Sequence, residues 1–167
     1  MTFSALRASL AALALLAAPT LAFAKSYTIP DPNPVAVITM PDDWETTVIA
    51  KGIESESDDE EVYVAVEVAE LKDAKEALAG AVAYLLEKKV KIDESSMQQV
   101  PFSNNGLEGI EVRWNGTDED GPTQVSVTLV KVSDTKGLVL TYWSSPEGEK
   151  DNLKDLQSII GSLKPVK

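Results

Sequence analysis

The chemistry open to this chain is narrow, because its 167 residues include no histidine and no cysteine. Without them the protein cannot build a Ser–His–Asp triad, a Cys–His pair, or an ordinary zinc or copper site. No glycine-rich phosphate loop precedes a predicted helix, so nucleotide binding has no support. Two carboxylates facing each other across a cleft, as in glycoside hydrolysis, remain the one catalytic option. We therefore expect a protein that is not an enzyme, and we rank a carboxylate-based hydrolase third.

Acidic side chains are concentrated in two segments, residues 54–61 and 115–120. Their oxygens are of the type that calcium prefers, but calcium also needs several of them to converge at fixed spacing. Neither segment matches the EF-hand pattern, and Gly121-Pro122 follows the second acidic run at once. The ordinary interpretation is a solvated loop. The alternative is a calcium site, whose candidate ligands are Asp58, Asp59, Asp118, Glu119 and Asp120.

Aromatic side chains are the other candidates for a binding surface. Trp114 and Trp143 each end a predicted strand just before a polar loop, so we expect them near one rim of the sheet. Packing in the core or at the rim is the usual role of such residues. The alternative is a ligand groove or a protein-binding patch. The candidate binding residues are Trp44, Trp114, Tyr142 and Trp143.

The stretch Glu61–Val90 must organise the fold that positions these residues, since it predicts a strand running straight into a helix. Valine occupies every second position from 62 to 68, the period of a strand with one buried face. Beyond Leu71 the apolar residues recur at three- and four-residue steps, which predicts an amphipathic helix lying across the sheet. The predicted stripe consists of Ala74, Leu78, Ala81, Val82 and Leu85.

The chain before this stretch predicts two short strands and two irregular segments. Three prolines in residues 25–34 indicate an extended lead-in that cannot pair throughout. Residues 35–40 and 46–50 are prone to form strands, and the Pro41-Asp42-Asp43 turn between them predicts a β-hairpin or a tight strand–turn–strand unit. The carboxylates of Gly52–Glu61 predict an exposed, mobile loop.

The chain after this stretch predicts a strand meander and a second helix. An edge strand at 97–102 precedes alternating strands at 110–114 and 125–129 and an apolar, central strand at 138–143. The terminal helix is predicted to be capped by Ser144 or Ser145, with Pro146 in its first turn. The order β-β-β-α-β-β-β-β-α predicts an α+β fold, a mainly antiparallel sheet flanked by two helices. The buried stripe of the terminal helix is predicted to be Leu153, Leu156, Ile159, Ile160 and Leu163.

The first 24 residues have the three parts of a secretory signal peptide. Arg7 supplies a positive charge, Leu10–Ala18 is an apolar run too short to cross a bilayer, and Ala22-Phe23-Ala24 predicts cleavage after Ala24. We expect residues 25–167 to form a single α+β domain in the periplasm or outside the cell, with no transmembrane segment after cleavage. The absence of cysteine excludes a lipid anchor on an N-terminal cysteine and any disulfide.

The predicted mature chain is strongly acidic. Loss of Arg7 leaves 14 of the 15 basic residues against all 27 acidic ones, a net charge of −13. Such a surface repels nucleic acid and anionic lipid, and it is compatible with divalent cations or a basic partner. Solubility alone is the ordinary explanation for the charge.

The layout resembles the PsbP-like fold, which photosystem extrinsic proteins share with exported DcrB-type proteins of bacteria. An early strand runs into a Pro-x-x-Trp turn at Pro41–Trp44, and a long helix follows the third strand. A final strand leads into a terminal helix that ends with residues 159–164. These short structural motifs cover nearly the whole mature chain, and the resemblance implies an α/β/α sandwich. It implies no particular activity, because photosystem accessory subunits, a nuclear-import regulator and secretion chaperones share the fold, and most members are not enzymes.

The sequence therefore predicts an exported, non-enzymatic binding or accessory protein of the bacterial cell envelope. Its expected partner is another envelope protein, for which it acts in a chaperone-like way. The second-ranked alternative is a protein that binds a small ligand or a divalent cation such as calcium. No cofactor other than calcium is predicted.

Overall fold

The computed structural model describes residues 24–166 of the chain, so the predicted signal peptide lies almost entirely outside the described residues. Two 3₁₀ turns, Leu71–Asp73 and Glu94–Ser96, supplement the helices and strands. The helices are α1 (Ala74–Glu87), α2 (Pro146–Asp151) and α3 (Leu153–Ser162). The strands are β1 (Ala24–Ile29), β2 (Ala36–Pro41), β3 (Glu45–Ile49), β4 (Gly52–Glu56), β5 (Val62–Glu70), β6 (Lys91–Ile92), β7 (Gln98–Asn104), β8 (Leu107–Thr117), β9 (Pro122–Lys131), β10 (Lys136–Ser144) and β11 (Lys164–Pro165).

A large antiparallel sheet dominates the fold, with strand order β3-β4-β5-β10-β9-β8-β6 and β7 paired to the outer side of β8. The predicted α+β class is thus confirmed. The predicted edge strand is β7, and the predicted meander consists of β8, β9 and β10. β10 lies between β5 and β9, as its continuous apolar run indicated. Asn105 and Gly106 have positive φ angles of 49° and 79° and close the β7–β8 hairpin.

The two faces of the large sheet are covered by different elements. Helix α1 lies over β5, β10 and β9, where Ala81 and Leu85 pack with Val125, Val127 and Val139. A three-stranded sheet, in the order β1-β2-β11, covers the opposite face together with α3. The alternating valines of β5 point to this second face, while Tyr63, one position out of step with them, points toward α1.

β2 and β3 form the predicted strand–turn–strand unit, but they do not pair with each other as a β-hairpin. β2 pairs with β1 and β11 in the small sheet, whereas β3 pairs with β4 in the large one. The turn is present, since the Trp44 amide donates to the Pro41 carbonyl across 3.3 Å. Trp44 is only 5 % exposed and belongs to the core between the two sheets. Burial of this indole therefore outweighs local pairing and directs the chain from one sheet into the other.

The predicted mobile loop at Gly52–Glu61 is also wrong over its first half, which forms β4 between β3 and β5. Alternation explains the error, because Ile53 and Ser55 are buried on one face while Glu54 and Glu56 point to the other. A Cβ at Gly52 would overlap the Val66 carbonyl oxygen, so glycine is what lets the two strands pair closely there. Only residues 57–61 form a loop.

The two ends of the described chain are more regular than predicted. β1 pairs with β2 along all of Ala24–Ile29, so the irregular lead-in is limited to the residues from Pro30 to Val35. The terminal helix is two helices that meet at Asn152. Ser145 caps α2 by accepting a hydrogen bond from the Gly148 amide, and Leu153 of the predicted buried stripe is 48 % exposed. Over residues 24–166, no helix has both the length and the apolar character needed to span a membrane.

Candidate binding groove

An open cleft of about 680 Å³ lies between α1 and the sheet on the side of β3 and β4. It exists because α1 covers β5, β10 and β9 and leaves the β3 side of this face exposed. On the helix side the cleft is lined in part by the small residues Ala77, Gly80 and Ala81. A Cβ at Gly80 would meet no atom within 4 Å, so this side of the helix is open. Ala65 and Val139 contribute to an apolar floor. These small residues of α1 thus form one wall of the cleft.

Three aromatic rings and one carboxylate are grouped at one end of this cleft, which Glu54, Tyr63 and Tyr84 line. Tyr63 stacks on Trp143 with a centroid distance of 3.9 Å and an interplanar angle of 19°, and Tyr84 lies 5.9 Å from Tyr63. The Glu54 Oε2 atom accepts hydrogen bonds from the Tyr63 hydroxyl at 3.0 Å and the Tyr84 hydroxyl at 3.3 Å. Burial, followed by the hydrogen bond with Tyr84, raises the pKa of the Tyr63 phenol far above its usual range. Tyr63 is therefore a neutral donor that fixes the position of the Glu54 carboxylate.

A second cleft, of about 410 Å³, continues from the first at Glu54, Tyr63 and Tyr84, which line both. We call the two clefts together the α1 groove. The second cleft is strongly acidic, and partial burial, followed by the charge of Glu60, raises the pKa of the Glu56 carboxyl. The charges of Glu45 and Glu54 act in the same direction, and Lys88 opposes them.

Lys88 shows how a cation fits the second cleft. Its Nζ atom lies 5.4 Å from the centroid of the Tyr84 ring, within the range of a cation–π contact. The hydroxyl of the same Tyr84 ring donates a hydrogen bond to Glu54. An ammonium group in this cleft thus meets an aromatic face and carboxylates together.

The structure separates the four aromatic residues predicted to bind. Trp143 lines the second cleft, and Trp114 lies on the same face of the sheet, where both tryptophans are paired with Val125. Trp44 is in the core on the other side of the sheet. Tyr142 also packs on that side; its hydroxyl is 2.6 Å from the Ser144 hydroxyl, and burial raises its pKa to about 12.

The two acidic segments lie in different surroundings. Asp118 to Asp120 line the second cleft, where Asp118 accepts from the amides of residues 120 and 121 and Glu119 pairs with Lys89 at 2.7 Å. Asp59 instead accepts hydrogen bonds from Ser57, Asn152 and the residue 61 amide, which lower the pKa of its carboxyl. Asp58 is exposed. Within the described part of the chain no three acidic side chains are grouped so as to hold a metal ion. Calcium binding stays a prediction.

Sequence reasoning missed the residues at the centre of the groove, namely Glu54, Tyr63 and Tyr84. The alternating pattern of β5 could have identified Tyr63. The valines of this strand fill the core on one face of the sheet, so the residues between them, Tyr63 included, must lie on the opposite face. Glu54 was hidden by its assignment to a loop. Tyr84 stands on α1 one turn beyond Gly80 and so on the same side of the helix.

Comparison with solved structures shows which fold this is. The structure matches the cyanobacterial PsbP protein CyanoP of Synechocystis with a TM-score of 0.58 and 8 % sequence identity, covering 87 % of this chain and 94 % of that one. It matches LpqN of Mycobacterium tuberculosis, described as involved in cell envelope biogenesis, with a TM-score of 0.54 and 11 % identity over 86 % and 92 % of the two chains. The chain has the PsbP-like fold.

The resemblance stated from the Pro-x-x-Trp turn and the order of elements is thereby confirmed at the level of fold. A match of similar quality is a protein of Bacteroides thetaiotaomicron, with a TM-score of 0.55 and 12 % identity, in which the aligned part spans 86 % of this chain and 48 % of that one. Neither protein-family profiles nor the sequences of curated proteins give a match. At these identities the likeness concerns the fold, and function must be argued from the groove.

Proposed function

We propose that this PsbP-like protein is an exported, non-catalytic accessory protein of the cell envelope that binds another envelope protein through the α1 groove. The observation that carries the proposal is the groove itself, a cleft of about 680 Å³ with an apolar floor beside a second, acidic one. A concave surface with an apolar floor and a few fixed polar groups is the usual form of a binding site.

The groups in the groove favour binding over catalysis. Its titratable side chains are carboxylates, lysines and phenols, and the chain has no histidine or cysteine to act as a nucleophile or as a base near neutral pH. The phenol with the largest pKa shift, that of Tyr63, is held neutral by burial. The Tyr63 hydroxyl donates a hydrogen bond that holds the Glu54 carboxylate in place. A carboxylate fixed in this way can accept a hydrogen bond from a donor group of a ligand.

Two further observations support the envelope as the site of action. The N-terminal residues have the charge, apolar run and small-residue cleavage pattern of an export signal. LpqN, with the same fold over 86 % of this chain, is described as involved in cell envelope biogenesis. A binding role in the cell envelope is compatible with the export signal and with the role described for LpqN.

Site-specific photo-cross-linking in intact cells tests the proposal. A photoreactive amino acid replaces Gly80 in the groove or, as the matched control, Gly161 on α3; both glycines are helical and face open space. We expect a discrete adduct with a second protein from position 80 and none from position 161. Equal labelling from both positions, or no adduct from position 80, would contradict a protein-binding role for the groove. N-terminal sequencing of the purified protein tests cleavage after Ala24.

A further inference from the structure

The α1 groove carries an excess of negative charge that selects its occupant. Eleven carboxylates and three lysines line its two clefts, a formal excess of eight negative charges. The carboxylates come from β3, β4, the loop after β4, β5, the 3₁₀ turn before α1, α1 itself and the connection between β8 and β9, so they border the groove from both sides. Of these, Glu119 is paired with Lys89 at 2.7 Å, and Asp73 lies 4.0 Å from Lys72.

We propose that the groove binds an extended basic segment of a partner protein, in which lysine or arginine side chains alternate with apolar ones. The inference rests on the proposed binding function and names the chemistry of the occupant. The apolar floor formed by Ala65, Ala69 and Val139 takes the apolar side chains, and the carboxylates beside it take the cations. Burying aliphatic stems while pairing their charged ends is how lysine and arginine contact such surfaces.

The neighbours of Glu56 and Lys88 support a cationic occupant. The carboxylates around Glu56 repel one another, and this repulsion adds to burial in raising the pKa of its carboxyl. An incoming cation would relieve that repulsion. Lys88 already places its ammonium group over the Tyr84 ring. A lysine of the partner would make the same kind of cation–π contact.

The shape of the groove favours a peptide segment as the source of this positive charge. Its charge is distributed along two connected clefts of about 680 and 410 Å³, joined at the Glu54 carboxylate and the two tyrosines. Several cationic groups spaced along a chain match that distribution. The neighbouring apolar floor gives the side chains between them a place to bind.

Calorimetric titration tests the inference with a ten-residue peptide of alternating lysine and leucine and its counterpart of alternating glutamate and leucine. We expect the basic peptide to bind, the acidic one not to bind, and the affinity to fall as salt is raised from 50 to 500 mM. The double variant Glu67→Gln/Glu76→Gln removes two carboxylates that line the groove and have no hydrogen-bonding or ion-pair partner among the described residues. It should bind about fivefold more weakly, the loss expected for two exposed ion pairs.

The matched control is Glu108→Gln/Glu147→Gln, which removes the same charge from β8 and α2, outside the groove. Equal weakening in both double variants would overturn the inference, because only the net charge would then matter. Equal binding of both peptides would overturn it too, and would leave the groove as an apolar binding site. If neither peptide binds while position 80 still cross-links to a protein, the cationic occupant is refuted and the proposed function stands. If the cross-link also fails, both are refuted.

Discussion

Replacing Gly80 with alanine tests the geometry of the groove wall directly. Gly80 lies inside α1, where glycine costs about 1 kcal/mol relative to alanine through its larger backbone entropy in the unfolded chain. The added Cβ would meet no atom within 4 Å, so no steric cost offsets this gain. We therefore expect Gly80→Ala to stabilise the protein by about 1 kcal/mol and to raise Tm by about 2–4 °C.

The assay is urea and thermal unfolding of the variant beside wild type, followed by far-UV circular dichroism. Gly148→Ala is the control of opposite sign, because the same Cβ would overlap Glu61 there and should destabilise the protein by about 1–3 kcal/mol. A destabilised Gly80→Ala protein would refute the reasoning, since it would mean that α1 contacts the sheet at a point where we describe an open cleft.

Three further predictions concern the core, the acidic cleft and calcium. Trp44→Ala should cost about 3–5 kcal/mol in urea unfolding, because this indole is buried between the two sheets; a loss below about 1 kcal/mol would show that it is not part of the core. Glu56→Gln should stabilise the protein at neutral pH, since a carboxyl whose pKa is raised on folding destabilises the native state above its unfolded pKa of 4.5. The gain should disappear as pH falls below that value, and a gain that is independent of pH would contradict the cause given. If Asp118 and its neighbours bind calcium, millimolar calcium should raise the Tm of the wild-type protein, and Asp118→Asn should abolish the rise. At a calcium concentration of a hundred times Kd, the stabilisation is about 2.7 kcal/mol. An unchanged wild-type Tm would refute the calcium site.

The fold was accessible from the sequence wherever burial and local pattern agree. The strand period of β5, the helical period of α1 and the turn at Asn105-Gly106 each predict the observed element, because alternation and turn chemistry are local properties. The α+β class follows from their order.

The errors came where a distant contact decides the local structure. Trp44 directs the chain out of the small sheet by burial against residues that lie far along the sequence, so the turn before it could not be recognised as a crossing between sheets. The acidic residues of β4 led to the prediction of a mobile loop. A strand can carry Glu54 and Glu56 at this place because both side chains line an open groove and do not enter the core.

The groove itself could be predicted only in part. The run of small residues around Gly80 marks a place of close approach, but the position of α1 over β5, β10 and β9 decides that this place stays open. The stack of Tyr63 on Trp143 joins β5 to β10 through a register that no short motif encodes.

The most direct test of the central claim is the affinity of the lysine–leucine peptide for Gly80→Arg compared with Gly161→Arg, measured by calorimetry. Both substitutions add one positive charge at a helical glycine that faces open space, and only position 80 lines the groove. We predict that Gly80→Arg weakens binding at least tenfold, by filling the cleft and repelling the peptide, while Gly161→Arg binds as wild type does. Wild-type affinity in Gly80→Arg would contradict the assignment of the α1 groove as the binding site.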